Sequence, residues 1–262
     1  MIELSIIVPT HARPRELVRC LKSIQNCQLR SYEIILVADI NDPKTSEIAG
    51  EYLRNCDYYV IRGGKPGPAE SRNLGIKMAS GHHILIFDDD DALPDSDYQA
   101  FVDAALSNPH DVIYGNVNFL KEDREKDIIF PDPPISHAVI ANDFPNMYVK
   151  NFIYTQACIF PAEAIKQVSQ DTHMRSFEDW EFLLAVASKT NFKPINLLGA
   201  IIYKDYINKG NRRSTTDAAK DFELVLDYLY VYRRWPAPNE KLKAMRSEML
   251  ESQGLTIAKQ YL

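Results

Sequence analysis

Four consecutive carboxylates, Asp88 to Asp91, follow directly on the apolar run Ile84-Leu85-Ile86-Phe87. Like charges packed this closely repel, and each costs free energy to hold ionised unless a cation or hydrogen-bond donors compensate. A hard divalent ion carrying phosphate oxygens meets that need, because Mg²⁺ or Mn²⁺ is commonly held by one or two carboxylates plus substrate oxygens. A solvated acidic turn that closes a strand is the alternative. A calcium loop of the EF-hand type is excluded by spacing: counting from Asp88, Leu93 stands at the glycine position and Gln99 at the final glutamate position.

Three further stretches carry chemistry-bearing residues. Gly63, Gly64, Pro66, Gly67 and Pro68 form a loop feeding a helix with Arg72 and Asn73 in its opening turns, a ready anion site or else a plain connection. Glu178-Asp179-Trp180-Glu181 places acids in the first turn of another helix, where they could also act simply by favouring its N-terminus. Lys204, Lys209, Arg212 and Arg213 make a basic loop that closes over a diphosphate or is merely solvated.

The surrounding pattern supplies the scaffold. Strand signals at Ser5 to Val8 (ended by Pro9), Tyr32 to Val37, Tyr58 to Ile61 and Ile84 to Phe87 alternate with helical stretches starting at Pro14, at Lys44 and at Ala69. Such alternation predicts an α/β fold with a mostly parallel central sheet flanked by helices, whose ligands bind beyond the carboxyl ends of the strands. Asp39 and the Asp88 cluster both fall at such ends.

After Pro94 the spacing predicts a helix from Ser96 to Leu106, then a hairpin of Val112 to Phe119 and Ile128 to Phe130 around the charged turn Lys121 to Lys126. A proline-broken loop or lid follows at 131–150. A buried strand at Tyr154 to Phe160, a helix from Pro161 and a strand at Asn196 to Tyr203 come next. From about Thr216 the chain reads as a helical extension with the aromatic run Tyr228 to Trp235, a packing arm first, with an oligomer contact or a membrane-surface foot as alternatives.

Composition bounds the reading. The 262 residues are 45% hydrophobic, enough for one large or two small domains, and the net charge of −6 argues against a nucleic-acid-coating surface. The four cysteines show no CxxC spacing, the N-terminus lacks the regions of a signal peptide, and no apolar stretch approaches the roughly 20 residues of a membrane span. The expected location is the cytoplasm, with peripheral contact at the inner face of the membrane open.

Taken together, Ser5-Ile-Ile-Val-Pro-Thr with Arg13-Pro14, Glu33-Ile-Ile-Leu-Val-Ala-Asp39, Ala69-Glu-Ser-Arg72-Asn73-Leu-Gly75-Ile and Ile86-Phe-Asp88-Asp-Asp90-Asp91 with Pro94 resemble the family 2 glycosyltransferases, inverting enzymes of the GT-A, Rossmann-like fold. Glu178-Asp179-Trp180 lies about where that family keeps its acceptor-side acid pair. The resemblance implies a hexosyltransferase-type enzyme that moves a sugar from a nucleoside-diphosphate donor, UDP first, to a hydroxyl of a glycan or lipid-linked acceptor in surface polysaccharide or glycoconjugate synthesis.

It further implies a donor site of Pro9, Thr10, Arg13, Asp39, Arg72, Asp88 and Asp89, with Thr10 and Asp39 on the nucleoside and Arg72 near the nucleotide. Asp90 is the implied direct ligand of Mg²⁺ or Mn²⁺, with Asp88 beside it, and Asp179 is the implied catalytic base. The implied organisation is a transferase domain over 1–213, with a donor half at 1–95 and an acceptor half at 96–213, followed by the extension at 214–262.

The chain departs from the family pattern at Ala12, where asparagine is common, at Ala38-Asp39-Ile40-Asn41 in place of Asp-Asp-Gly-Ser, and at Tyr203-Lys-Asp-Tyr206, which lacks a late histidine. Two alternatives stand beside this reading. A nucleotidyltransferase would carry a Gly-rich basic loop after the first strand, which Pro9-Thr-His-Ala is not, and a non-catalytic sugar-nucleotide or glycan-binding module would need no base.

Overall fold

The computed structural model describes residues 2–94, 98–139, 143–174, 176–207 and 218–252. Strands β1 (Leu4–Thr10), β2 (Tyr32–Ala38), β3 (Tyr58–Ile61) and β4 (His83–Ile86) alternate with helices α1 (Pro14–Asn26), α2 (Pro43–Tyr52) and α3 (Pro68–Met78). All four strands pair in parallel, in the order β3-β2-β1-β4. Strands β1, β2 and β4 are buried on both faces, which is why they read as unbroken apolar runs, while β3 is a half-exposed edge strand. Ile6, Val8, Ile34, Leu36 and Leu85 face one core layer with Leu17, Leu21 and Ile24 of α1. Ile7, Ile35, Val37, Ile84 and Ile86 face a second layer with Ile76 of α3. A Cβ on Gly75 would sit 2.3 Å from Ile7 Cγ2, so the close approach of α3 to β1 requires glycine there.

Pro9 does not end β1 as its lack of an N–H suggests. The Ile7 carbonyl accepts from the Phe87 amide on the β4 side, so by alternation Pro9 faces that same side, where the pairing already ends at Ile7 and Ile86. No ladder bond is lost.

The second half continues the same sheet with α4 (Tyr98–Leu106), β5 (Val112–Asp123), β6 (Ile128–Ile129), β7 (Ile135–His137), β8 (Cys158–Pro161), the single turn α5 (Ala162–Ile165), α6 (Glu178–Ala187) and β9 (Phe192–Asp205). Strand β8 inserts antiparallel between β4 and β5, while β9 runs parallel along β5, so the sheet is continuous across the expected division at 95/96. The expected hairpin forms, but β5 extends to Asp123, whose Oδ1 accepts the amides of Glu125 and Lys126 and so closes a turn shorter than Lys121 to Lys126. The strand expected from Tyr154 begins instead as a 3-10 turn, Thr155–Ala157, and the helix expected at Pro161 is only one turn long.

Helices α7 (Ala218–Arg234) and α8 (Glu240–Ser252) follow among the described residues, the expected boundary at 213/214 lying outside them. The aromatic run packs: Tyr228 and Tyr232 lie 5.5 and 5.8 Å from the buried Trp180 ring of α6. Arg246 of α8 is fully buried and donates to the carbonyls of Tyr232 and Trp235 at the end of α7 and to that of Tyr148, a placement favourable to a cation at a helix C-terminus. Among the described residues no helix is long and apolar enough to cross a membrane.

His83, at the start of β4, is buried, and neither ring nitrogen has a hydrogen-bond partner. Burial, with His82 adding to it, lowers its pKa below the usual 6.5. The unfolded chain therefore takes up a proton below about pH 6.5 that the folded chain resists, and stability falls with pH from there by at most about 1.4 kcal/mol per unit. Thermal unfolding at pH 7.5 and pH 5 is expected to show a smaller acid-induced loss in His83→Leu than in the native chain.

Candidate active site

The carboxyl ends of β1, β2 and β4 open onto one cavity of about 540 Å³. Its lining includes Pro9, Thr10, Arg13, Asp39, Arg72, Asp88, Asp89, Asp90 and Asp179, so every site residue expected from the sequence comes together there. From the second half of the chain, Thr155, Gln156 and Glu178 join them, the first two lifted into the cavity by the 3-10 turn that precedes β8.

Each acid of the run has its own partners. Asp88 accepts from Arg72 Nη2 at 2.5 Å and from Gln156 Nε2 at 2.6 Å. Asp89 accepts from the Thr10 hydroxyl at 2.7 Å, with Arg13 at 3.2 Å. Asp90 Oδ2 accepts from Arg13 Nη1 at 3.0 Å and from Arg124 Nη2 at 2.9 Å. Asp91 accepts the Tyr203 amide at 3.1 Å.

Burial pushes the Asp89 carboxyl up to about 7, Asp90 and Asp88 adding to the rise and Arg13 and Thr10 opposing it. Arginines within the chain answer part of the repulsion that suggested a metal from sequence, and what they leave adds to the rise at Asp89. What suits an ion is the geometry: Asp88, Asp90 and Asp91 each offer a carboxylate oxygen, all within 4.8 Å of one another.

At the β2 end, Asp39 Oδ1 lies 2.6 Å from His11 Nδ1 and Oδ2 accepts the Gly67 amide at 2.8 Å. At the α6 end the acids divide their tasks. Glu178 lies 3.5 Å from Arg72, while Glu181 is turned away to Arg234 and Trp235. Asp179 is half-buried on the cavity wall, with Oδ2 3.5 Å from Asn151 Nδ2.

The profile described as Glycosyl transferase family 2 matches residues 5–143, more than half of the chain. The chain belongs to that family. An uncharacterized glycosyltransferase of Haemophilus influenzae is 25% identical over 232 residues, covering 86% of this chain and 75% of its own. A GalNAc(5)-diNAcBac-PP-undecaprenol beta-1,3-glucosyltransferase of Campylobacter jejuni is 35% identical over 96 residues, covering 36% of this chain and 31% of its own.

The same fold occurs in crystals of Staphylococcus aureus TarS 1–349 in complex with UDP-GlcNAc (TM-score 0.70, 15% identity, 95% of this chain and 72% of that one). It also occurs in a mannosyltransferase of Pyrobaculum calidifontis in complex with GDP-Man and Mn2+ (TM-score 0.60, 15% identity, 95% and 69%). The protein is a glycosyltransferase of the GT-A fold, and the nucleotidyltransferase alternative falls.

The glycosyltransferase also holds its acids through residues that its sequence did not single out. Arg124, in the turn after β5, reaches Asp90 and donates to Glu122 at 2.6 Å. Glu122 also accepts from Arg19 at 2.7 Å, and Arg19 donates to the Asp90 carbonyl while stacking 3.6 Å over the Tyr203 ring. In sequence Glu122 and Arg124 look like any charged turn. Gln156 left one signal, a polar residue inside an apolar run. Of the basic loop, Lys209, Arg212 and Arg213 lie outside the described residues, and Lys204 stands over the Phe119 ring on β9 rather than among the cavity-lining residues.

Proposed function

We propose that this glycosyltransferase moves a hexosyl group, with inversion, from a UDP-sugar to a hydroxyl of a glycan or lipid-linked acceptor, with Mg²⁺ or Mn²⁺ held by Asp88 and Asp90. The observation that carries the reading is that a single cavity is lined both by the acidic run and by Asp179, and its volume lies in the range of small-molecule sites. The donor set fits a hard divalent ion, being all carboxylate oxygen and closely grouped. When bound, the ion supplies Lewis-acid neutralisation of the departing diphosphate.

The chain's own residues perform the rest. Arg72 and Arg13 hold positive charge at the diphosphate end. Asp179 accepts the proton of the acceptor hydroxyl, whose oxygen forms the new bond to the anomeric carbon as the bond to the diphosphate breaks on the opposite face. One in-line displacement needs no covalent nucleophile, so configuration inverts.

The name of the Campylobacter relative supports a lipid-linked acceptor and the TarS complex supports a uridine donor, whereas the mannosyltransferase complex makes GDP the rival. The reading carries a cytoplasmic location with peripheral contact at the membrane where a lipid-linked acceptor is met. Calorimetric competition among UDP, dTDP and GDP with Mn²⁺ is expected to rank UDP first, and a clear preference for GDP overturns the donor assignment. A transfer assay separates the enzyme from a non-catalytic binding module.

A further inference from the structure

Asp90, one of the two carboxylates proposed to hold the ion, meets two guanidiniums at a single oxygen. Arg13, a cavity-lining residue, reaches Oδ2 at 3.0 Å, and Arg124 reaches the same atom at 2.9 Å. Arg124 does not line that cavity. It lines a separate cleft of about 160 Å³ with Arg15, Arg19, Glu122 and Asp123, so its charge acts on Asp90 from outside the donor site. It is also fastened there: its Nε donates to Glu122 at 2.6 Å, its Nη2 lies 3.4 Å from the Tyr203 carbonyl, and only 17% of the side chain is exposed against 39% for Arg13. Glu122 does not cancel this charge, because it is shared with Arg19 at 2.7 Å.

We infer that Arg124 sets the charge of the donor site, lowering the affinity of its carboxylates for a bare divalent ion and raising that for a diphosphate. Asp88 is paired with Arg72, Asp89 with Arg13, and Asp90 with both Arg13 and Arg124. Much of the negative charge that would draw a bare ion is therefore already compensated. A diphosphate carries more negative charge than the ion carries positive, so the two together suit the arginines as the ion alone does not. The ion is then held mainly as the partner of the donor. Because it acts through Asp90, Arg124 is a positioning residue rather than a catalytic one. The inference rests on the metal reading at Asp88 and Asp90 and goes beyond it by naming the residue that decides when the ion is held.

The test measures bare Mn²⁺ binding by paramagnetic resonance of the free ion and UDP binding by calorimetry in EDTA. It compares the native chain with Arg124→Gln and Arg124→Lys, with thermal unfolding to establish that each variant is folded. Glutamine keeps an N–H donor and removes the charge. Arg124→Gln is expected to bind bare Mn²⁺ about 10-fold more tightly, the order expected for a unit charge near a divalent ion in a partly solvated interior, and to bind UDP in EDTA more weakly. Shifts of opposite sign mark a charge effect, since loss of a merely structural contact would weaken both. Arg124→Lys keeps the charge and should stay near native in both measurements. Glu122→Gln removes a counter-charge of Arg124 and should move both affinities the other way, which keeps the test open if Arg124→Gln does not fold.

An Arg124→Gln variant that binds bare Mn²⁺ no more tightly than the native chain overturns the inference, and loss of Mn²⁺-dependent UDP binding in Asp90→Asn would show that the metal reading stands without it. A native chain whose UDP binding does not respond to Mn²⁺ overturns the metal reading, and the role of Arg124 with it.

Discussion

Asp179→Asn is expected to slow sugar transfer by about 10²–10⁴-fold while leaving UDP affinity and folding nearly unchanged. The three acids in the first turn of α6 look alike in sequence but meet different surroundings. Glu181 is buried and paired with Arg234 and Trp235, Glu178 lies against Arg72, and Asp179 stands half-buried on the cavity wall. Its Oδ1 accepts the Trp180 amide at 2.8 Å, a contact that asparagine can also make, and the helix-terminus contribution of its charge is worth at most about 1 kcal/mol. Asparagine is isosteric but cannot take the hydroxyl proton, so catalysis and stability separate. The variant is to be assayed for UDP binding, thermal unfolding and transfer, and normal transfer would return Asp179 to a purely structural role.

Asp90→Asn is expected to have two effects of different origin. Metal-dependent binding of UDP should weaken by at least about 100-fold, because the carboxylate proposed to hold the ion is lost. Stability should also fall, because Arg13 and Arg124 share Asp90 Oδ2 and would keep their charges without it. Leaving a buried charge uncompensated costs about 3–5 kcal/mol, and this case falls below that range, because Arg13 is half-exposed and keeps Asp89 while Arg124 keeps Glu122.

A second substitution distinguishes the two effects. Arg124→Gln in the Asp90→Asn background removes a guanidinium that has lost one of its two carboxylates and should recover part of the lost stability, while Glu122 keeps Arg19 as its partner and Mn²⁺-dependent UDP binding stays weak. Calorimetry of UDP with Mn²⁺ at native strength in the single variant would sink the metal assignment.

The first half of the fold was legible in the amino-acid sequence because its information is local. Runs such as Ile34 to Val37 and Ile84 to Phe87 lack alternation since both faces of their strands are buried, and such strands belong to parallel sheets, whose carboxyl ends carry the ligand site. Asp39 and Asp88 to Asp91 could therefore be assigned to one site from their positions alone, whereas Asp179, in the first turn of a helix, was joined to them only by the family resemblance. The second half was less legible. The buried strand expected from Tyr154 forms only from Cys158, after a 3-10 turn that brings Gln156 to Asp88, and the Asp123 carboxylate closes the hairpin turn.

What only the tertiary structure decided is which charges meet. Crowded acids require positive charge somewhere, but nothing near them in the chain says where it comes from. Arg124 stands 34 residues from Asp90, and Arg19 stands 103 from Glu122, each in a stretch whose composition also suits a solvated surface. Periodicity reports which face of an element is buried, because burial acts on each residue in turn. Ion pairs and hydrogen bonds such as Arg124–Asp90 and His11–Asp39 depend instead on where separate elements cross, and that is set by the packing of the whole sheet.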